Sequence, residues 1–446
     1  MSGSWPDRTV LVTGAGLSGT AAARALFEVG ADVVLADRDE PAGLPGVRFI
    51  GTPGEPPAGV DLVVTSPGWR PDHPLLVAAA ARGVPVIGEV ELAWRLRGPH
   101  PAPWLAVTGT NGKTTTVRML ESMLRAGGRR AVAAGNVGLP LTQAVRTDPP
   151  YDVLAVELSS FQLHWSRGVV PHTAVLLNLA EDHLDWHGSM SAYAAAKARI
   201  YPIGTIAVHN ADDPWSLRLA PVGVGITVRR RPERGQLGIE DGQLVDRAFG
   251  DRVSIAAVGD LAVPGLHNIV NALGAAALAR SYRVPPEAVR AGLRSVTPGP
   301  HRNILLSTVD GVSYVDDSKA TNPHAAAASL AAFERVVWIA GGLLKGARVD
   351  DLVAGLAGRL VGVVLLGADR GEIAGALARH APDVPVTEVL STDDGAMDEV
   401  VRAAARLARS GDTVLLAPAA ASMDMFTDYA ARGRAFAAAV SGLTRG

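Results

Sequence analysis

The chain has 446 residues, is 48% hydrophobic, carries a formal net charge of −2 and contains no cysteine. Such a length points to roughly two to four domains with ample core, and the apolar content excludes a disordered chain. The near-neutral charge gives no bulk electrostatic pull on nucleic acid, and the lack of cysteine excludes disulfides and thiolate metal sites, which suits a cytoplasmic protein. Residues 1–8 lack a basic start and an apolar stretch, so no signal peptide is expected. No apolar run is long enough to span a bilayer. Residues 9–12 form a short β-branched run, followed by Gly14-Ala15-Gly16-Leu17-Ser18-Gly19 and an Ala-rich helical pattern to residue 29. A second apolar run, 32–36, ends at Asp37, with Arg38 next. This is a dinucleotide fingerprint with its acidic residue about twenty positions on. Physically it guarantees only a tight turn and a helix N-terminus facing a phosphate, so NAD, FAD or a UDP-sugar would each serve. Runs at 62–65 and 85–87 continue the strand–helix alternation. Ser66-Pro67-Gly68 ends one of these strands, where open α/β sheets bind ligands, though the trio alone reads equally as a plain turn. The Pro-rich segment 98–103 is a semi-rigid linker and the first domain boundary.

The stretch Trp104–Thr108 is an apolar run that enters Gly109-Thr110-Asn111-Gly112-Lys113-Thr114-Thr115 and then a helical pattern over 116–126. Strand, Gly-rich turn and helix make a phosphate cradle: backbone N–H groups and the helix dipole attract anions, Lys113 adds a point charge, and the Thr114 hydroxyl suits Mg²⁺. The usual spacing would place a Gly at Val107. The turn Gly135-Asn136-Val137-Gly138 follows, then buried-strand patterns at 153–157, ending in Glu157, and 173–177, followed by Asn178 and Glu181-Asp182-His183. These two strands are expected to deliver Glu157 and His183 to the edge that carries the phosphate loop. Glu157 and Thr114 are suitable Mg²⁺ ligands, whereas His183 reads equally as a solvent-exposed loop residue. A short helix over 193–201 carries Lys197, which pattern alone places on a solvated face. Strands around 206–209 and 222–228 and a strand-rich patch to Val263 precede a helix opened by His267-Asn268-Ile269-Val270-Asn271.

Residues 295–302 form the second linker, ending in Pro300-His301-Arg302. Strand patterns at 313–315, 336–340, 363–366 and 413–416 then alternate with helices. Three polar loops follow strands: Asp316-Asp317-Ser318-Lys319-Ala320-Thr321-Asn322, Gly341-Gly342-Leu343-Leu344-Lys345, and 418–424 with Ser422-Met423-Asp424. All three are expected at the C-terminal edge of one sheet. The pattern is α/β in three domains: a Rossmann-like domain over 1–98, a central P-loop ATPase-like mononucleotide-binding domain over 99–298, and a C-terminal Rossmann-like domain over 299–446.

In series, the phosphate loop, Gly135–Gly138, Glu157-Leu158-Ser159-Ser160, Glu181-Asp182-His183, the Lys197 helix, His267–Asn271, Pro300-His301-Arg302 and Asp317–Asn322 resemble the Mur ligases over nearly the whole chain. The resemblance implies an ATP-dependent acid–amino-acid ligase. Within the family, Asp317–Asn322 and Ser422-Met423-Asp424 with Phe426 are similar to the loops of the members that join D-glutamate to UDP-MurNAc-L-Ala through an acyl phosphate, in peptidoglycan precursor synthesis. It implies ATP contacts at Gly109, Thr110, Asn111, Gly112, Lys113, Thr114, Thr115, Asn271, Arg302 and Asp317. It implies two Mg²⁺ ions, one on Thr114 and Glu157, the other on His183 and a carbamylated Lys197. Lys113, His183 and Lys197 are then the catalytic set. Leu17, Ser18, Asp37, Arg38, Ser66 and Gly68 would hold UDP, and Asn136 and His301 the muramoyl-alanine part. Lys319, Thr321, Lys345, Ser422, Met423 and Tyr429 would surround D-glutamate. A cytoplasmic monomer is implied. Three rival readings stand beside this one: an NAD-dependent oxidoreductase, which leaves the phosphate loop, Glu157 and His183 without a task; another amide ligase of the superfamily, such as one adding glutamate to folate, which would lack the leading nucleotide-type domain; and a non-catalytic nucleotide-binding protein.

Overall fold

Three sheets, built from long apolar runs, organise the chain in a computed structural model that describes residues 5–220, 222–261, 265–297, 299–393 and 395–443. Residues 1–4, Val263 at the end of the strand-rich patch, and Pro298 of the second linker lie outside the described residues. The chain makes two compact units, residues 1–179 with 191–296, and residues 180–190 with 297–446.

The first unit holds two sheets. The first consists of β1 (Thr9–Thr13), β2 (Asp32–Ala36), β3 (Arg48–Phe49), β4 (Leu62–Thr65) and β5 (Val86–Gly88), all parallel in the order β3-β2-β1-β4-β5. Val10, Leu11 and Val12 are fully buried because a parallel sheet is covered on both faces, which is why its strands read as unbroken apolar runs. The second consists of β6 (Trp104–Thr108), β7 (Ala131–Gly135), β8 (Val153–Glu157), β9 (Thr173–Leu176), β10 (Ile206–Asn210), β11 (Val224–Thr227), β12 (Gln236–Glu240), β13 (Gln243–Asp246) and β14 (Val253–Ala257). Its order is β14-β13-β12-β11-β10-β9-β6-β8-β7, with antiparallel pairing only along β12, β13 and β14. Helices Lys113–Ala126, Leu266–Ser281 and Pro286–Ser295 cover one face, with Leu120, Met123, Leu124, Leu273 and Leu293 in a shared core. Gly292 permits that closeness, since a Cβ there would stand 2.5 Å from the Met123 Cα.

Helix Glu89–Arg95, which follows the first sheet, joins the core of the second through Val90 and Ala93 against Trp104 and Leu154. Polar bonds reinforce this. Glu89 accepts the Thr142 amide at 2.7 Å and its hydroxyl at 3.0 Å, Glu91 accepts the Arg167 amide at 2.6 Å, and Arg146 donates to the Ala25 carbonyl at 2.7 Å and to Glu28 at 2.8 Å.

The second unit carries β15 (Ile304–Val309), β16 (Val312–Asp316), β17 (Val336–Gly341), β18 (Leu360–Leu366), β19 (Val386–Glu388) and β20 (Thr413–Leu416), in the order β15-β16-β20-β17-β18-β19. Only β15, at the edge, is antiparallel. Sequence pattern missed four edge strands: β7, whose Ala-rich run has little strand propensity, and β3, β15 and β19. An edge strand is half-exposed and shows no continuous apolar run, as in the mixed burial of β15.

Candidate active site

The phosphate loop lies between β6 and helix Lys113–Ala126, which begins three residues earlier than the pattern over 116–126 placed it. Lys113, Thr114 and Thr115 are therefore its first turn, at the positive end of the dipole. Gly112 starts the helix with φ of 86°. A Cβ at Gly112 would stand 2.1 Å from Asn271 Oδ1, so glycine serves both the left-handed turn and the close approach of Asn271. Asn178 braces the loop: its side chain accepts the Asn111 amide at 2.9 Å and donates to the Asn111 carbonyl at 3.1 Å, and its own carbonyl accepts the Thr110 amide at 3.0 Å. The Lys113 Nζ donates to the carbonyls of Gly109 and Thr110, each at 2.8 Å.

Glu157 ends β8 and pairs in register with Val107 of β6, so the carboxylate stands beside the start of the loop. It is 1% exposed. Asn136 Nδ2 donates to Oε1 at 2.8 Å, while Oε2 is buried with no hydrogen-bond partner among the described residues. A buried carboxylate oxygen left unsatisfied is costly and is what a hard cation would satisfy. Among the described residues no group of three or more His, Asp or Glu is gathered for a metal. A Mg²⁺ ion held by one or two protein oxygens plus phosphates needs no such group, so the residues fit.

Lys197 corrects the reading from pattern. Helix Met190–Ala198 turns it inward, 1% exposed, and its Nζ donates to the Gly109 carbonyl at 2.8 Å and the Thr108 hydroxyl at 3.3 Å. The ammonium also stands 4.9 Å from the ring centre of Tyr193, whose hydroxyl lies 3.1 Å from that of Thr110. His183 is not a freely exposed loop residue either. It adopts φ of 55° at the start of helix Leu184–His187, and its Nε2 is 3.6 Å from Asp182 Oδ2. Residues 180–190 belong to the second unit, where Asn322 Nδ2 donates to Asp182 at 3.3 Å.

In the first sheet, Asp37 accepts the Ala15 amide and, at 2.6 Å, that of Arg38, so the acidic residue caps the Gly-rich turn. Ser66 follows β4 and packs on Gly14, where a Cβ would stand 2.5 Å from its hydroxyl. Leu17 is 72% exposed at the helix start beside Ser18. Gly68 is open, with nothing within 4 Å of a Cβ built there.

In the second unit the three polar loops do share one sheet edge. Leu343 and Ala421 exchange backbone hydrogen bonds of 2.9 and 2.8 Å, joining the Lys345 and Ser422 loops. Lys345 has φ of 55°, Ser422 is buried and Met423 exposed. Lys319 Nζ lies 3.8 Å from the ring centre of Tyr429. The Thr321 amide donates to the Lys319 carbonyl at 2.8 Å, which turns the loop into Asn322, the cap of helix Pro323–Leu330. Burial pushes the Asp317 carboxyl up to about 6, against the pull of a Ser329 hydrogen bond and the Arg302 charge. Beneath the loops lies Arg432, a residue that sequence reasoning missed. It is 1% exposed and donates to the Ser318 hydroxyl at 3.0 Å, the Ser318 carbonyl at 2.9 Å and the Ala420 carbonyl at 3.1 Å. Burial lowers its guanidinium to about 10, so it stays charged at neutral pH, helped by Asp424 and Asp316. Its only sequence signal is that it is one of two Arg, with Arg434, in a small-residue stretch of helix Tyr429–Leu443.

Comparison with known proteins agrees with this architecture. Residues 107–279 match the family described as "Mur ligase middle domain", and residues 301–420 "Mur ligase, glutamate ligase domain". The chain is 59% identical over 462 residues to UDP-N-acetylmuramoylalanine–D-glutamate ligase of Thermobifida fusca, covering 98% of each chain. It is 55% identical over 464 residues to the ligase of the same name from Streptomyces avermitilis, covering 99% of each. The crystal structure of UDP-N-acetylmuramate-alanine ligase from Thermotoga maritima shares the fold with a TM-score of 0.61 at 20% identity, over 98% of this chain and 99% of that one. The chain belongs to the Mur ligase family.

Proposed function

We propose that this enzyme joins D-glutamate to UDP-N-acetylmuramoyl-L-alanine at the expense of ATP, a step in making peptidoglycan precursors. The observation that carries the reading is a phosphate loop flanked by the half-satisfied Glu157, in a chain alike over 98% of its length to ligases of that name. The UDP-MurNAc-L-Ala carboxylate attacks the γ-phosphoryl group of ATP, and the D-glutamate amine then displaces phosphate from the acyl phosphate. The first step brings anions together, which the loop amides, the helix start and Lys113 offset. Mg²⁺, when bound, shields charge on the phosphates, with Thr114 and Glu157 proposed to hold one ion, and His183 and a carbamylated Lys197 a second. Asn136 fixes the orientation of Glu157 through its 2.8 Å bond, besides the contact with muramoyl-alanine that the family likeness suggests. Asn271, Arg302 and Asp317 are assigned to the nucleotide. Leu17, Ser18, Asp37, Arg38, Ser66 and Gly68 are assigned to UDP, and Lys319, Thr321, Lys345, Ser422, Met423 and Tyr429 to D-glutamate.

The test is phosphate release from ATP with UDP-MurNAc-L-Ala and each amino acid in turn. Release that depends on D-glutamate is expected, and Lys113→Ala should lower it by on the order of 10²-fold, the scale for losing a charge aimed at a transition state. Release with another amino acid, or with none of them, would overturn the reading.

A further inference from the structure

His301 and Asp316 form a pair that no step above uses. The imidazole Nδ1 lies 2.6 Å from Asp316 Oδ2. Asp316, at the end of β16, is 1% exposed, and its other oxygen accepts the Ser318 amide at 2.9 Å. A carboxylate that accepts at both oxygens assigns the hydrogen to Nδ1 and leaves the lone pair on Nε2. Nε2 makes no hydrogen bond to any described residue. The ring is held from two further sides. His301 has φ of 59°, and a Cβ at Gly433 would stand 2.1 Å from Nδ1, so glycine there is what admits the imidazole.

The neighbours of the ring are those assigned to D-glutamate. The Tyr429 ring stands edge-on with its centre 6.4 Å away, Lys319 Nζ lies 3.8 Å from that same ring, and the Lys319 amide donates to the His301 carbonyl at 3.2 Å. The titratable and charged groups around the imidazole are thus Asp316, Lys319 and Tyr429, with Arg302 next in the chain and Arg432 behind Asp316.

An α-ammonium has no lone pair and is mostly protonated at neutral pH, so it cannot attack an acyl phosphate until a base takes a proton. Resting on the D-glutamate reading above, we propose that His301 Nε2 is that base and that Asp316 positions the ring and stabilises the imidazolium. One amine proton passes to Nε2 as the nitrogen lone pair forms the C–N bond. The C–O bond to phosphate then breaks with its electron pair, and the second amine proton leaves on hydrogen phosphate. The imidazolium returns its proton to water.

His301→Asn tests this, because its amide nitrogen can still donate to Asp316 while Nε2 is gone. With ATP, Mg²⁺ and UDP-MurNAc-L-Ala, two nucleophiles are compared: D-glutamate, and hydroxylamine, which is already neutral at pH 7. The expected result is a fall in kcat for D-glutamate on the order of 10²-fold with little change in its KM, and hydroxamate formation near the wild-type rate. The lost rate should climb again as pH is raised and free amine accumulates. A parallel loss of amide and hydroxamate would overturn the assignment and mean that His301 serves the muramoyl-alanine part or the fold. Ligation within a few-fold of wild type would overturn it too. If His301→Asn is unfolded by circular dichroism, His301→Gln is judged by the same ratio of amide to hydroxamate. Failure of the ligase reading looks different: wild-type enzyme then forms no hydroxamate, and the base assignment falls with it.

Discussion

Lys197 and Asp317 are the residues whose chemistry departs furthest from their sequence appearance. The Lys197 amine is buried between the Thr108 hydroxyl and the Gly109 carbonyl, at the start of the phosphate loop. Addition of CO₂ would turn that amine into a carboxylate-like group with two oxygens, which suits a hard cation. Lys197→Ala should then be nearly inactive and partly restored by small carboxylic acids, while Lys197→Arg should not be, because guanidinium forms no such carbamate. Full activity of Lys197→Ala in carbonate-free buffer would sink the idea. Asp317 titrates at about 6 because burial disfavours its charge. An ionised carboxylate is the better hydrogen-bond acceptor for the nucleotide to which Asp317 is assigned, so the ATP KM should rise as pH falls through about 6. Asp317→Asn should have a raised KM with that pH dependence gone; an unchanged profile would remove Asp317 from the nucleotide site.

At the scale of elements, the chemistry sits at strand ends, on helices and in the loops between them, and the loops need a brace. That the Lys319, Lys345 and Ser422 loops follow strands was legible from alternating apolar runs and polar breaks, which is all that sheet-edge placement requires. What binds them together was not legible, because Arg432 lies 114 positions from Ser318 and 12 from Ala420. Arg432→Met keeps the apolar volume but leaves buried carbonyls without a donor, a loss of about 3 kcal/mol. The variant should unfold at a lower temperature and show a larger rise in the D-glutamate KM than in the ATP KM. Equal shifts in both constants would mean that Arg432 supports the unit as a whole and not these loops.

For the molecule as a whole, the first two sheets share a unit through buried carboxylates. Burial raises the Glu89 carboxyl above its ordinary value of 4.5, against the hydrogen bonds from Thr142. A native value above the unfolded one means that the folded state binds the proton more tightly. Stability is then lost as pH climbs from about 4.5 through the native value. Glu89→Gln should therefore gain on wild type in thermal unfolding midpoint as pH rises from about 4.5 toward neutrality. A difference that stays constant across that range would show that Glu89 is not the titrating group.

The sequence by itself determined the α/β class, the phosphate loop and the Gly14–Gly19 turn, because each depends on neighbours within a few residues: apolar runs, glycines that allow left-handed backbone, and a lysine at a helix start. Only the tertiary structure decided that Lys197 faces inward, that Asn136 braces Glu157, and that His301 finds Asp316. Those pairings join residues from separate segments of the chain, turns such as those of Asn136 and His301 included. No local periodicity records such a meeting, since it follows from which strands lie side by side and how closely glycines such as Gly112 and Gly433 let chains approach.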